Sequence, residues 1–144
     1  IIRELIEFKP EEQGTNISEA LRYLNNVVKK RCIAFLISDF MDQDYEDSLK
    51  LANKKHDMVA LRIYDERETE MPNVGMAQFT DPETGEVRWV NTSSRKIRKG
   101  YREAALNREM RADNALRRAG IDMAAIATNE SYIKPLRNLF SKRS

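Results

Sequence analysis

The sequence predicts an α/β protein in which three parallel strands form a sheet covered by helices. Residues 33–37 are a continuous apolar run, which is typical of a strand buried on both faces of a parallel sheet. Residues 58–64 and 123–126 are similar runs, and each follows a segment with the apolar spacing of a helix. Alternation of strands and helices favours parallel pairing through crossover connections.

Helices are predicted between and around these strands. Asn16 and Glu19 form a capping-box-like start for a helix that continues to Lys30. A second helix ends near Lys55, and a final one covers residues 131–141. The longest follows Ser93 or Ser94 and ends before Gly120. Its candidate core residues are Ile97, Tyr101, Ala104, Ala105, Met110 and Leu116.

A β-hairpin interrupts the alternation. Residues 76–80 and 87–90 flank the segment Asp-Pro-Glu-Thr-Gly-Glu at 81–86, which has the composition of a turn. Val87 and Trp89 are two residues apart and are therefore predicted to share one face of the hairpin.

The charge balance argues against a strong general attraction to nucleic acids or membranes. The chain has 144 residues, consistent with one domain, with 25 Lys and Arg against 23 Asp and Glu. Nine basic residues nevertheless lie between Arg95 and Arg118, as either a solvated helix face or a surface for an acidic partner. The single cysteine, Cys32, favours a reducing compartment, and we expect a cytoplasmic protein without membrane contact.

Two polar residues are candidates for a binding site. Asp39 follows the strand 33–37, and ligands of open α/β sheets bind outside the carboxyl ends of the strands. Thr15 lies in a loop that could reach the same edge, although a turn or capping role would also explain it. Asp39 could equally cap the following helix, and Asp65 could join the edge from the next strand. A hydroxyl and a carboxylate suit a hard cation such as Mg²⁺.

Common catalytic signatures are absent from the sequence. It contains no Gly-rich phosphate loop, His-Glu-x-x-His, paired CxxC or Gly-x-Ser-x-Gly. The only histidine, His56, stands at a helix end, where we expect it to be solvated rather than catalytic. Cys32 is interpreted as a small buried hydrophobe.

Two segments carry a resemblance to a known family. Residues 11–24, Glu-Glu-Gln-Gly-Thr-Asn-Ile-Ser-Glu-Ala-Leu-Arg-Tyr-Leu, and residues 33–40 resemble von Willebrand factor A-type (vWA) domains. More narrowly they resemble the bacterial family "domain of unknown function 58", whose hairpin and closing helix are similar to residues 81–86 and 132–140. The resemblance implies a Rossmann-like three-layer sandwich.

The resemblance also implies a metal-ion-dependent adhesion site formed by three loops. Thr15 matches the second loop and Asp39 the third, while the Asp-x-Ser-x-Ser of the first does not occur in this sequence. The chain starts with the helical spacing of Ile1, Ile2, Leu5 and Ile6. Residues 1–144 are therefore expected to be one domain, the C-terminal portion of a vWA-like domain without its first strands.

These expectations define the function classes to be compared. The resemblance implies a non-enzymatic protein-binding module that works with a MoxR-type AAA+ ATPase in protein assembly or maturation. Mg²⁺ is expected in the full-length protein but not tightly bound by this chain, and self-association is expected through the exposed strand 33–37. The alternative is a Mg²⁺-dependent phosphohydrolase or nuclease using Asp39 and Asp65. A third class, nucleic-acid binding through residues 95–118, is disfavoured.

Overall fold

The protein has a central parallel sheet flanked by helices and a separate antiparallel hairpin. The computed structural model describes Glu7, residues 14–80 and residues 85–143. Within these residues the chain order is α1 (Ile17–Val27), β1 (Ile33–Ser38), α2 (Glu46–Lys55), β2 (Asp57–Tyr64), a 3-10 turn (Glu66–Glu68), β3 (Met76–Thr80), β4 (Val87–Asn91), α3 (Arg95–Arg118), β5 (Asp122–Ala127) and α4 (Ile133–Arg143). The predicted α/β class is confirmed.

The central sheet has the strand order β1-β2-β5, and both pairings are parallel. Alternate residues of β2 point to opposite faces, so Met58 and Ala60 pack with the cluster formed by α1, α2 and α3. Val59 and Leu61 point the other way and pack with Leu139 of α4. The sheet is therefore the middle of three layers, which is a Rossmann-like arrangement.

The hairpin forms where the sequence predicts it. Strands β3 and β4 pair antiparallel, with Gln78 opposite Trp89. Val87 and Trp89 are both exposed. Residues 81–84, in the predicted turn, lie outside the described residues. The buried Thr92 joins the segment after β4 to the segment before β3. Its Oγ1 donates to the Gly75 carbonyl at 2.7 Å and accepts from the Val74 N–H at 2.9 Å.

The predicted core of α3 is only partly right. Ala105 and Leu116 are buried as expected, but Ile97 and Met110 are exposed. Ala112 and Ala115 are buried instead, and the sequence pattern did not single them out. The reason is packing: the C-terminal half of α3 meets its neighbours through small side chains, which allow close approach.

Helix ends differ modestly from the predictions. Helix α1 ends at Val27 rather than Lys30, and α4 begins at Ile133. The residues with helical spacing at the start of the sequence, Ile1, Ile2, Leu5 and Ile6, lie outside the described residues, whereas Glu7 is described and is helical.

The prediction of a solvated His56 is wrong. Its side chain is fully buried, with 0% exposure, and its Nδ1 lies 3.4 Å from the Cys32 sulfur. Strand β2 begins directly after His56, and the Asp57 N–H donates to the Cys32 carbonyl at 2.8 Å. This backbone contact between the starts of β1 and β2 places the His56 imidazole beside Cys32. Cys32 is half-buried rather than fully buried, so its interpretation as a core hydrophobe needs the same correction.

Strand β1 lies at an edge of the sheet, as the sequence predicts. The apolar run predicts burial on both faces, and this is wrong for one of them: Ile33, Phe35 and Ile37, on the face shared with Val59, are 64%, 49% and 63% exposed. On that face Phe35 has only an edge-to-face contact with Phe140 of α4 to cover it among the ring contacts of the described residues. Among the helices of the described residues, none is long and apolar enough to cross a bilayer.

Candidate functional site at the carboxyl edge of the sheet

Asp39 lies in an exposed turn that starts where β1 ends. Two backbone N–H groups of the turn donate to the side chains of Ser38 and Asp39. Ser38 Oγ accepts from the Phe40 N–H, and Asp39 Oδ1 accepts from the Met41 N–H, both at 3.1 Å. Asp39 Oδ2 accepts no hydrogen bond from residues that the structure describes, and it remains available to a ligand.

Thr15 lies in the exposed loop before α1. The capping role that competed with a binding role belongs to its neighbour, because Asn16 Oδ1 accepts from the Glu19 N–H at 2.8 Å. Within the described ranges, the Thr15 hydroxyl has no hydrogen-bond partner. A residue that neither caps the helix nor closes a turn is free to contact a ligand.

The loops that carry Thr15 and Asp39 are joined directly. The Ile17 N–H donates to Asp42 Oδ2 at 2.7 Å, and the Ser18 hydroxyl donates to the Asp44 carbonyl at 3.0 Å. These contacts bring the start of α1 to the loop that follows β1. Sequence reasoning missed Asp42 and Ser18, since an acidic run after a strand does not reveal which distant N–H it will accept.

The loop after β1 has an unusual backbone. Phe40 and Asp44 have φ values of 58° and 59°, in the left-handed region that bulky residues rarely adopt. Phe40 keeps this conformation because its ring is buried against that of Tyr45, with the centroids 5.9 Å apart. Strain of this kind costs about 1–3 kcal/mol per residue and persists only where surrounding contacts enforce it. The loop therefore has a defined shape.

The same loop carries a concentration of negative charge. Tyr45 is buried beside Asp42 and Glu46, and the pKa of its phenol is raised, first by burial and then by the two carboxylates. Glu46 is in turn 3.9 Å from Arg118 of α3. The acidic loop is thus partly balanced by the basic helix.

Asp65 reaches the same edge of the sheet. It follows β2, and its Oδ1 accepts from the Arg67 N–H at 2.9 Å, which starts the 3-10 turn. Asp39, Asp65 and Arg108 of α3 line one shallow pocket. The structure therefore brings the two aspartates of the alternative hypothesis to one pocket wall, with an arginine beside them.

Comparison with known proteins identifies the family. The family model described as "Protein of unknown function DUF58" matches residues 1–111. The chain belongs to the DUF58 family. Thr15, Asp39 and Asp65 all lie within the matched part.

Several mycobacterial proteins are similar to this DUF58 chain. The uncharacterized protein MAV169 of Mycobacterium avium is 24% identical over 82% of this chain and 70% of its own length. The uncharacterized proteins Mb1516 of Mycobacterium bovis and Rv1480 of Mycobacterium tuberculosis are each 22% identical over 89% of this chain. The match covers 40% of the length of each of these two proteins. No solved structure matches the chain.

The donor atoms at this edge of the DUF58 chain fit Mg²⁺ in kind but not in number. A hydroxyl and a carboxylate are hard oxygen ligands, whereas Mg²⁺ requires a near-ideal octahedron. Among the described residues there is no group of three His, Cys, Asp or Glu side chains that could hold a metal ion. Thr15 and Asp39 would supply two of the oxygen ligands of such an octahedron.

Proposed function

We propose that this DUF58 chain is a non-enzymatic, vWA-like protein-binding module whose contact surface is the edge carrying Thr15 and Asp39. The observation that supports this most is the pair of hydrogen bonds from Ile17 to Asp42 and from Ser18 to Asp44. They hold the two loops together while leaving the Thr15 hydroxyl and one Asp39 oxygen for a ligand.

Each residue has a distinct role in the proposed site. Thr15 and Asp39 would hold a divalent cation together with ligands from outside this chain, and Asp42 and Ser18 position their loops. A cation bound there supplies a directed positive charge that a partner's carboxylate can complete. Recognition of this kind needs no general base, and the one histidine, His56, is buried beside Cys32.

The proposed partner is a MoxR-type AAA+ ATPase that acts with this module in protein assembly or maturation. The support is the resemblance of residues 11–24 and 33–40 to vWA domains. Partner choice would depend on two surfaces. One is the loop from Phe40 to Asp44, whose shape is set by the positive φ values of these two residues, and the other is the exposed Trp89 of the hairpin.

The test is binding of the chain to a purified MoxR-type ATPase from the same genome, measured by biolayer interferometry in Mg²⁺ and in EDTA. Binding is expected in Mg²⁺, with about a tenfold loss in Thr15→Ala and Asp39→Ala, the usual size for one polar contact to a charged group. Asp122→Ala is the control, because this exposed aspartate starts β5 at the opposite edge of the sheet. Equal affinity for all four proteins would contradict the proposal.

One observation favours a second candidate, a Mg²⁺-dependent phosphohydrolase or nuclease: Asp39 and Asp65 line the same pocket. Two carboxylates near Arg108 could contact a phosphate ester through a cation. Release of p-nitrophenol from its phosphate ester, or cleavage of a single-stranded oligonucleotide, would detect this activity. Mg²⁺-dependent turnover that disappears in Asp39→Ala and in Asp65→Ala would favour the enzyme over the binding module.

A further inference from the structure

Helix α3 carries more positive charge than its surroundings neutralise. Lys99 is 3.7 Å from Glu103, Arg102 is 3.9 Å from Glu70, and Arg118 is 3.9 Å from Glu46. Arg98 and Arg117 donate to the oxygens of Thr92 and Asn114. The remaining basic residues have no ion pair or hydrogen bond within the described part of the chain; they are Arg95, Lys96, Arg108 and Arg111.

The acidic residues of α3 do not compensate for these charges. Glu109 lies 2.5 Å and Asp113 3.8 Å from the guanidinium of Arg62, a buried residue of β2. Glu103 already pairs with Lys99. The acids on the helix are thus engaged, which leaves Arg108 and Arg111 without an ion-pair partner on α3.

Arg108 and Arg111 lie three residues apart and line one cavity of about 180 Å³ against the loop after β1. The loop also brings Asp42, Asp44 and Glu46 to this cavity, but most of these acids already have other partners. Both oxygens of Asp42 accept backbone N–H groups, from Ile17 and Gln43 at 2.7 Å, and Glu46 faces Arg118. Only Asp44 keeps a carboxylate without a partner in the described ranges. Asp42 retains its negative charge, but its oxygens are already used as acceptors, so Asp44 is the one carboxylate of the loop left to accept hydrogen bonds from the two guanidinium groups.

Arg108 also connects this cavity to the candidate site. It lines the shallow pocket that contains Asp39 and Asp65 as well as the cavity formed with Met41–Glu46. A ligand that contacts Arg108 therefore lies next to the carboxylate proposed to bind the partner.

We propose that Arg108 and Arg111 form a second contact point for the partner protein, which binds a carboxylate in an acidic segment of that protein. The inference rests on the proposed function and specifies its partner: a protein segment with two or more Asp or Glu side chains, one directed to the Asp39 site and another to the arginines. Guanidinium groups hold carboxylates through paired, charge-assisted hydrogen bonds, and clustered arginines are a common means of recognising acidic motifs.

The surroundings favour an acidic peptide over a nucleic acid. The backbone of a nucleic acid carries a negative charge at every nucleotide, and its binding needs an extended basic surface. Here the arginine pair is bordered by the loop that carries Asp42, Asp44 and Glu46, which would repel continuous negative charge. A peptide can match two arginines with carboxylates and place neutral residues against the acidic loop.

The experiment follows backbone amide shifts of the ¹⁵N-labelled chain in EDTA at an ionic strength of about 0.1 M, where the Debye length is about 10 Å. The probe is a ten-residue peptide of alternating Gly and Glu, and its control replaces every Glu by Gln. Saturable shifts are expected in the loop after β1 and around Arg108 with the Glu peptide only. The double variant Arg108→Gln/Arg111→Gln should weaken binding about tenfold or more, since each charged hydrogen bond contributes more than a neutral one.

The matched control is Arg95→Gln/Lys96→Gln, which removes two unpaired cations from the other end of the same helix. It should change the affinity less than about twofold, because exposed charges at that distance are largely screened. Equal losses in the two double variants, shifts at another surface, or tighter binding of a twelve-residue single-stranded RNA than of the peptide would each overturn the proposal.

Failure of this inference is separable from failure of the proposed function. The peptide assay contains neither metal nor ATPase, so binding lost in Arg108→Gln/Arg111→Gln supports the arginine contact whatever the ATPase does. If the ATPase binds in an Asp39-dependent manner while the arginine double variant binds both ATPase and peptide normally, the function stands and the arginine contact is excluded.

Discussion

Arg62 of β2 lies beneath α3, 7% exposed, with its Nη2 2.5 Å from Glu109 Oε1. Its guanidinium carbon lies 5.0 Å from the centre of the Tyr64 ring, which adds a cation–π contact. The Oδ1 atom of Asp113 lies 3.8 Å from Arg62 Nε, which is close enough for electrostatic attraction but too far for a hydrogen bond. This buried oxygen has no hydrogen-bond partner among the described residues. Glu109 is therefore the principal partner of a desolvated charge, and this pair ties the basic helix to the sheet.

Replacing Glu109 with Gln should lower the free energy of unfolding by about 1–3 kcal/mol, because Arg62 keeps its buried charge but loses its anionic hydrogen-bond partner. The double variant Arg62→Met/Glu109→Leu should cost less than this, since apolar side chains then replace the cation together with its principal anionic partner. Urea denaturation measures both. The control is Glu103→Gln, an exposed partner of Lys99, which should change stability by less than about 1 kcal/mol. Equal losses for Glu103→Gln and Glu109→Gln would show that Arg62 does not depend on its partner.

Self-association is expected through β1. The strand is at the edge of the sheet, and Ile33, Phe35 and Ile37 give it an exposed apolar face without a charge to block pairing. Ile37→Lys should reduce the association, whether it occurs by pairing of strands or by exchange of elements. Light scattering over a range of concentrations measures the mass, with Leu51→Lys on α2 as the control for adding a lysine at an exposed apolar position. A monodisperse monomer at high concentration would count against this prediction.

Tyr45 should make stability sensitive to alkaline pH. Its pKa in the folded protein is raised by burial and by Asp42 and Glu46, whereas in the unfolded chain it is near its ordinary value of about 10. Its contribution is complete below about pH 10 and is lost as the pH rises from there through the folded-state pKa, because the unfolded chain releases the proton first. Relative to Tyr45→Phe, the wild type should lose stability as the pH rises above about 10. Urea denaturation at several pH values tests this, and Tyr23→Phe, at an exposed position, should behave as the wild type.

Mg²⁺ is not expected to bind tightly to this chain. Thr15 and Asp39 contribute two side chains, and Mg²⁺ releases its water molecules only to several well-placed oxygens. Titration calorimetry should show no micromolar affinity, and Asp39→Ala should give the same trace. Micromolar binding that disappears in Asp39→Ala would mean that further ligands of this chain complete the coordination.

Local patterns were sufficient for most of the fold. Continuous apolar runs marked the three strands of the sheet, and Asn16, Ser94 and Gly120 marked the limits of helices, because capping and turn chemistry depend on near neighbours. The same patterns misjudged α3. Ile97 and Met110 have suitable spacing but are exposed, while Ala112 and Ala115 are buried in the core.

The sequence by itself determined the strands, their parallel arrangement and the position of Asp39 at the end of β1. It also indicated the family, since these features come from residues adjacent in the chain. Only the tertiary structure decided which distant groups meet: Ile17 with Asp42, Cys32 with His56, Arg62 with Glu109, and Arg108 with the pocket of Asp39. Contacts between residues 24 or more positions apart depend on how the layers pack, and packing is a property of the whole core.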